Sequence, residues 1–505
     1  MFDPEREELE AEIARLRAIV EAQAEQLRND AALIAELRSR LDELQAIISR
    51  DSSDSSLPPS RDRTDRRARR AAEAKARREA RKALGREARK PGKQKGTPGA
   101  TISRREPTRP PVIHDPEVCE SCGASLAGAP VVAEATRQVL EIPEPALEVI
   151  DHVAVTRQCS CGCRTRGQFP PEASGPVAWG PRARATGTYL LGRQHLPLER
   201  GAEAMADLFD APMGEGTLAG LLPEAAGKLG RFMDEVATAL KASPVVHADE
   251  TSVRIGVGLG WVHDASNASV TSLAVHEKRG IEGIEAIGVL TDYSGTIVHD
   301  GLATYDTEEL AAAAHAQCHV HLGRHLDVLA KHASQTPWAR AMKGLLAEAK
   351  KESEDAGAAG LARVPDAIAE PIAKRYDEIL EQGLIRLPGD VPPPRKHTGG
   401  WTNAEREAWN LATRMRRHKD QVLRLLEDTR VPSDNNEAER SVRMCKLHDK
   451  ISGHFRSWPH AEAFCTVRSY LQTGAKNGQR AMDLLIRLWT PAGPWLLSMV
   501  APDTS

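Results

Sequence analysis

After Pro244 the hydrophobic pattern changes from the three-and-four spacing of helices to the two-residue alternation of strands. No other feature of the 505-residue chain constrains its fold as strongly. PVVHADETSVRI, GWVHDAS, SVTSLAVHE and GTIVHDGLATY read as four strands. IEGIEAIGVL, between the third and fourth, reads as a helix, and QCHVHL reads as a fifth strand. The expected order is three strands, a helix, a strand, a helix and a strand.

That is the order of a ribonuclease-H-like α/β core. Asp249 ends the apolar start Val245-Val246-His247-Ala248, and Asp300 ends Thr296-Ile297-Val298-His299. If those strands are parallel neighbours, the two carboxylates meet at one sheet edge. Carboxylates held close repel unless a divalent cation lies between them. Mg²⁺, or Mn²⁺ in its place, suits such hard oxygen ligands. Two such ions can activate an attacking oxygen and stabilise a leaving one in phosphoryl transfer. A third acid is expected from VPSDNNEAERSVRMCK, where Asp434-Asn435-Asn436 signals a turn and a helix opens behind it. Glu439, Arg443 and Lys446 fall four and three residues apart, on one helical face. That face offers one metal ligand and two cations for phosphate. Glu437 is the rival ligand, on another face.

The rest of the chain divides by composition. Residues 5–50 carry apolar residues at alternating steps of four and three, from Leu9 and Ile13 to Leu44 and Ile48, interrupted by Gln23 and Asp30. A seam that long predicts a coiled coil and a homo-oligomer. Residues 51–105 form a Ser/Pro and basic linker, and 61–95 hold 16 Lys or Arg against 5 Asp or Glu. Such density, with Arg66, Arg67, Arg69 and Arg70 at its start, predicts neutralisation of DNA phosphates without reading of sequence. Of eight cysteines, five lie in 119–163. The opening MFDPEREELE lacks the basic and apolar parts of an export signal, and no run of about 18 apolar residues occurs. A cytoplasmic protein that touches no membrane is expected, and crowded cysteines there favour metal over disulfides. Residues 106–178 are therefore read as a small zinc-ribbon-like domain. Cys119, Cys122, Cys159 and Cys161 are its ligands, Cys163 competes for the fourth place, and TRQVLEIP and LEVIDHVAVTRQ are its strands. Residues 179–242 read as helical, either a DNA-binding module or scaffold. The core begins at 243–325, is interrupted by a helical insertion at 326–430, resumes with a final catalytic helix region at 431–485 and ends in a tail at 486–505. With 4% aromatic residues, the interior must be built from Ala, Leu, Val and Ile.

HADETSVRI, VHDGLATY and SDNNEAERSVR, in this order, resemble the three acid motifs of the insertion sequence 66 family of bacterial transposases, of TnpC type. QCHVHLGRH resembles a Cys-x-x-His-x-x-Arg element after the fifth strand, here Cys318, His321 and Arg324. DSSDSSLPPS and KPGKQKGTPGA resemble the family's linker and basic stretch, and the cysteine cluster its zinc-binding domain. The resemblance implies a DDE transposase with Asp249, Asp300 and Glu439 as its catalytic, metal-holding triad. It further implies an insertion that holds DNA ends and small companion proteins of the same element. His321 and Arg324 are expected either to contact DNA or to stabilise the core.

Overall fold

The computed structural model describes residues 103–499 except 333 and 392–400, together with seven isolated helical positions between 15 and 30. Those positions apart, the expected coiled coil lies outside the described residues, as do Arg66, Arg67, Arg69 and Arg70. The chain divides into two compact units, residues 41–144 and residues 1–40 with 145–505.

In the first unit the described chain is mostly open. The main chain of Arg105 exchanges two hydrogen bonds with the side-chain amide of Gln138, at 2.8 and 2.7 Å, and a single bridge joins Val118 to Ser125. TRQVLEIP forms no strand here. Its alternation is real, but Val139 and Ile142 are exposed and no backbone among the described residues completes a ladder.

In the second unit only the end of LEVIDHVAVTRQ becomes a strand. β1 (Thr156–Gln158) pairs antiparallel with β2 (Arg164–Arg166) around a loop that carries Cys159, Cys161 and Cys163. Four helices follow: α1 (Pro181–Gly192), α2 (Leu198–Phe209), α3 (Glu215–Gly227) and α4 (Gly230–Lys241). A Cβ at Gly187 would come within 2.9 Å of Leu218 and nearer still to Leu221, so the absent side chain lets α1 settle on α3. Phe232, Val236 and Leu240, four apart on α4, are buried in the same core as the sheet.

The sheet has five strands: β3 (Val245–Ile255), β4 (Gly258–Ser266), β5 (Thr271–His276), β6 (Thr296–His299) and β7 (Ala314–Gln317). Their order is β5-β4-β3-β6-β7. β3, β4 and β5 pair antiparallel, and β6 and β7 join β3 in parallel. α5 (Ile281–Ala286) precedes β6 as expected. The helix expected after β6 is two short 3₁₀ turns, Ala303–Asp306 and Glu308–Leu310. QCHVHL is a strand only at Gln317, because α6 (His319–Leu329) starts directly after Cys318.

From α6 the chain runs through α7 (Thr336–Ala358), α8 (Asp366–Ile385), α9 (Asn403–Arg417), and the short α10 (Lys419–Val422) and α11 (Arg424–Glu427). These helices bury a core of their own around Trp338, Met342, Tyr376 and Met415. The chain then returns to the sheet as α12 (Asn436–Ile451), α13 (Trp458–Lys476) and α14 (Ala481–Leu488). α13 lies along β5, the sheet's edge strand. The hydroxyls of Ser469 and Thr473 accept from the backbone N–H groups of Leu273 and Thr271 at 2.9 and 3.0 Å. Edge donors that would otherwise lack partners are thereby satisfied. No helix among the described residues is long and apolar enough to cross a membrane.

α12 is fixed to β3 at both ends. Asn435, fully buried before its first turn, donates to the Ala248 carbonyl at 2.7 Å, and its oxygen lies 3.0 Å from His247 Nδ1. Lys446 donates to the carbonyl and the hydroxyl of Ser252. Asn435→Ala leaves buried polar groups of β3 without partners. It is expected to lower unfolding stability by about 1–3 kcal/mol, read as a reduced urea midpoint at unchanged slope.

Candidate active site

β3 and β6 run parallel with Val245 beside Thr296, Val246 beside Ile297 and His247 beside Val298. The same register carried two residues further sets Asp249 level with Asp300. On the other side of β3, Asp249 is directly opposite Asp264 of β4. Directly opposed residues share a face of the sheet, so three carboxyl groups stand in a row across β4, β3 and β6.

Burial, then the charges of Glu250, Asp300 and Asp264, push the Asp249 carboxyl up to about 8. Its Oδ1 accepts the backbone N–H of Glu250 at 2.9 Å. Asp264 is wholly buried and pushed up to about 8 by that burial. Ser266 donates to its Oδ1 at 2.6 Å, and its Oδ2 has no partner. Asp300 is oriented by a short turn in which its Oδ1 accepts the N–H of Leu302 at 2.8 Å. Glu250, next to Asp249 in sequence, alternates to the other side of the strand. There it is bound to Arg279 at 2.7 and 3.0 Å and takes a proton donor from Tyr305 at 3.3 Å.

Glu439 sits in the first turn of α12. His321 Nδ1 is 3.6 Å from its Oε1 and Arg324 Nη2 is 3.9 Å from its Oε2. The charges of Glu439 and Asp300 both bear on His321, which burial nonetheless holds below the usual histidine range. The rival Glu437 is taken up by Arg440 at 3.1 Å and Lys476 at 3.5 Å. Cys318, His321 and Glu439 offer a sulfur, a nitrogen and an oxygen within 4.8 Å of one another. Arg324, however, lies 3.2 Å from His321 Nε2 and can only donate to it. The neutral ring's proton is therefore on Nδ1, facing Glu439. Burial also pushes the Cys318 thiol up, against the thiolate. His321 and Arg324 thus hold Glu439 in place, and the set of Cys318, His321 and Glu439 is poorly suited to ligate a soft metal.

The structure thus brings Asp249 and Asp300 together and sets His321 and Arg324 around Glu439. It separates the two cations expected beside Glu439. Arg443 is exposed and has no ion-pair partner among the described residues. Lys446 is turned inward onto Ser252 and is not available to phosphate. Asp264 and Arg414 also border the site without any local signal in the sequence, as does Asn435, whose sequence signal was only that of a turn. Asp264 lies in an alternating strand, but its place beside Asp249 depends on a hairpin register that alternation alone leaves open.

The hard-oxygen donors fit a divalent cation. Asp249 is raised by burial and then by like charges, and Glu439 Oε1 is buried without a hydrogen-bond partner among the described residues. An oxygen set of this kind is what Mg²⁺ prefers.

Each cysteine knuckle is built for thiolates. Cys119 accepts the N–H of Gly123 on its carbonyl at 2.9 Å, and hydrogen bonds from the backbone of Cys122 and Ser121 hold its thiol below the usual range. At the other knuckle Cys159 N–H donates to the Cys163 carbonyl at 2.8 Å, and backbone and side-chain hydrogen bonds from Cys161 lower the Cys159 thiol.

A mixed α/β fold with acidic side chains level on two adjacent parallel strands defines a class of protein built around a carboxylate cluster. Residues 177–463 match the model described as Transposase IS66 family, and residues 116–162 match the zinc-finger binding domain of transposase IS66. The chain belongs to the IS66 transposase family, which implies a transposase role. Its zinc-finger domain supports a structural Zn²⁺. No curated protein matches the chain. The zinc-finger match includes Cys119, Cys122, Cys159 and Cys161 and stops one residue short of Cys163.

Two outcomes are expected. Cys161→Ser should lose bound zinc on elemental analysis, whereas Cys163→Ser should keep it. Without added metal, Asp249 binds a proton in the folded state that the unfolded chain gives up near pH 4. Its contribution to stability is full below that pH and is lost as pH rises toward about 8. Asp249→Asn should therefore raise the melting midpoint at pH 8 more than at pH 5, in EDTA. An equal change at both pH values would show that Asp249 is not under this strain.

Proposed function

We propose that the chain is a DDE transposase that cuts the ends of its element and joins them to target DNA on a ribonuclease-H-like core. The observation that carries this reading is the placement of Asp249 and Asp300 at one level on adjacent parallel strands, inside the segment matched to the transposase family. The order β3-β4-β5-α5-β6-β7, with the first three strands antiparallel and the last two parallel to β3, agrees with such a core.

Asp249, Asp300 and Glu439 would hold divalent cations, two Mg²⁺ or Mn²⁺ ions. When bound, such ions activate the attacking oxygen and stabilise the leaving one. The chain's own part is to fix geometry and charge. β3 and β6 set the two aspartates; Asn435 and Lys446 set α12; His321, oriented by Arg324, faces Glu439. In the first reaction a water attacks the phosphodiester at an element end, and the bond to the 3′-oxygen breaks to leave a 3′-hydroxyl. In the second that hydroxyl attacks a target phosphodiester and displaces its 3′-oxygen, so one ester replaces another. Arg443, exposed four residues beyond Glu439, lies where it can meet DNA phosphate. The basic arm would hold DNA without reading it, and the N-terminal coiled coil would pair protomers so that two ends are handled together.

With labelled element-end DNA, a target plasmid and Mg²⁺, the unaltered chain is expected to give joined product. Asp249→Asn, Asp300→Asn and Glu439→Gln should each give none. Cleavage without joining would replace this reading with that of a nuclease or resolvase. Product from Glu439→Gln would remove that residue from the triad.

A further inference from the structure

We propose that Arg414, on a helix of the insertion, is a phosphate-binding residue of the reaction centre that receives the DNA phosphodiester beside Asp300. The proposal rests on the phosphoryl-transfer reading above and adds to it a cation that neither the acid motifs nor the final catalytic helix supplies.

Arg414 ends the penultimate turn of α9 and points out of the insertion's core toward the sheet. A Cβ built on Gly301 would lie 3.9 Å from Arg414 Cζ, so the guanidinium rests against the residue that follows Asp300. Gly301 has φ +89, a conformation that favours glycine, and this brings the β6 end close to the arginine. Asp300 and Asp306 are the acids whose charges act on Arg414 most, yet neither forms an ion pair with it among the described residues.

Its nitrogen atoms are in an unusual state. Nε and Nη2 are both buried and neither has a hydrogen-bond partner among the described residues. These two N–H groups form one edge of the guanidinium and point the same way, the edge that binds two oxygens of a carboxylate or phosphate at once. A buried cation without partners costs free energy, and burial weakens this one's hold on its proton. A purely structural arginine would be expected to spend that edge on a carbonyl or carboxylate nearby. Arg279 does so, setting Nε and Nη2 on Glu250 Oε1 at 3.0 and 2.7 Å. Arg414 holds its edge open beside a row of acids. An anion brought there by divalent cations on those acids would satisfy it, and a phosphodiester has the two oxygens required.

The test uses the full chain, Mg²⁺ and labelled element-end DNA. It compares the unaltered protein with Arg414→Met, Arg414→Lys and Asp249→Asn, measuring end binding, single-turnover cleavage and the melting midpoint without DNA. Arg414→Met keeps the apolar stem and removes the buried charge. It should bind ends within about threefold and melt no lower than the unaltered protein, while cleavage falls about 10²–10³-fold. Arg414→Lys should recover only part of that loss, since an ammonium cannot present two parallel donors. Cleavage at the normal rate by Arg414→Met, with Asp249→Asn inactive, overturns this proposal and leaves the triad standing. A lower melting midpoint with matching loss of binding and cleavage also overturns it, by making Arg414 a structural residue. Absence of metal-dependent cutting by the unaltered protein removes the phosphoryl-transfer reading, and this proposal with it.

Discussion

Asp264 and Asp249 stand opposite each other on adjacent strands with Asp300 just past the end of the next, and like charges brought this close oppose the sheet that carries them. Much of the surrounding structure can be understood as what holds this arrangement together. Asp249 and Asp264 are raised to about 8, each chiefly by burial and Asp249 further by the charges of Glu250, Asp300 and Asp264, so without cations both keep protons. Positive charge is placed at its border. Lys476 acts on Asp264 while donating to the carbonyls of Asn267 and Val270, which ties α13 to the loop that follows β4. The antiparallel half of the sheet and its edge-covering helix thus provide the rigidity that the acids themselves would destroy.

The third acid is held by a different device. Glu439 is on a helix, so its place depends on how that helix meets β3 and not on strand register. Asn435 grips the Ala248 carbonyl immediately before Asp249, which couples the start of α12 to the strand position that matters most. Lys446 makes the same kind of attachment about three turns later, at Ser252. A helix fixed at two points on a strand cannot slide or rotate without breaking buried polar contacts, so the place of the Glu439 carboxylate follows that of β3. The helix start also favours a negative charge in its first turn.

Much of this was legible in the sequence, for identifiable reasons. Strand alternation and apolar runs located β3 through β6, because that pattern is a direct consequence of burying one or both faces; Asp300 does follow the end of β6, but Asp249 lies inside β3, which runs on to Ile255. The three-residue spacing between Arg443 and Lys446 was also correct, yet the two side chains part company. α12 lies over β3, and tertiary packing rather than helical periodicity decides that Lys446 is the inward one. QCHVHL alternates like a strand, but Cys318 instead becomes the residue before α6, since the chain must leave the sheet there to enter the insertion. The partners of long-range contacts were not legible at all. Nothing local to Asp264 shows that a hairpin sets it opposite Asp249, and nothing local to Arg414 shows that α9 comes back to Gly301.

The insertion illustrates why such contacts escape a linear reading. Asp300 and Glu439 are separated by 139 residues, most of them in helices with a separate core. The excursion nevertheless leaves and returns at one place. His319 N–H, at the start of α6, donates to the Ser433 carbonyl just before α12, at 2.9 Å. Its ring lies 2.7 Å from the Val422 carbonyl, and Val431 completes a small apolar cluster with Val245, Val298 and Ala316 of the sheet. The site is thus closed behind the insertion as firmly as a short loop would close it. The geometry of the acids is therefore set by the sheet and this junction, independently of the insertion's length. What the insertion can vary without disturbing them is what it presents to the acids' open side, and in this chain α9 presents Arg414.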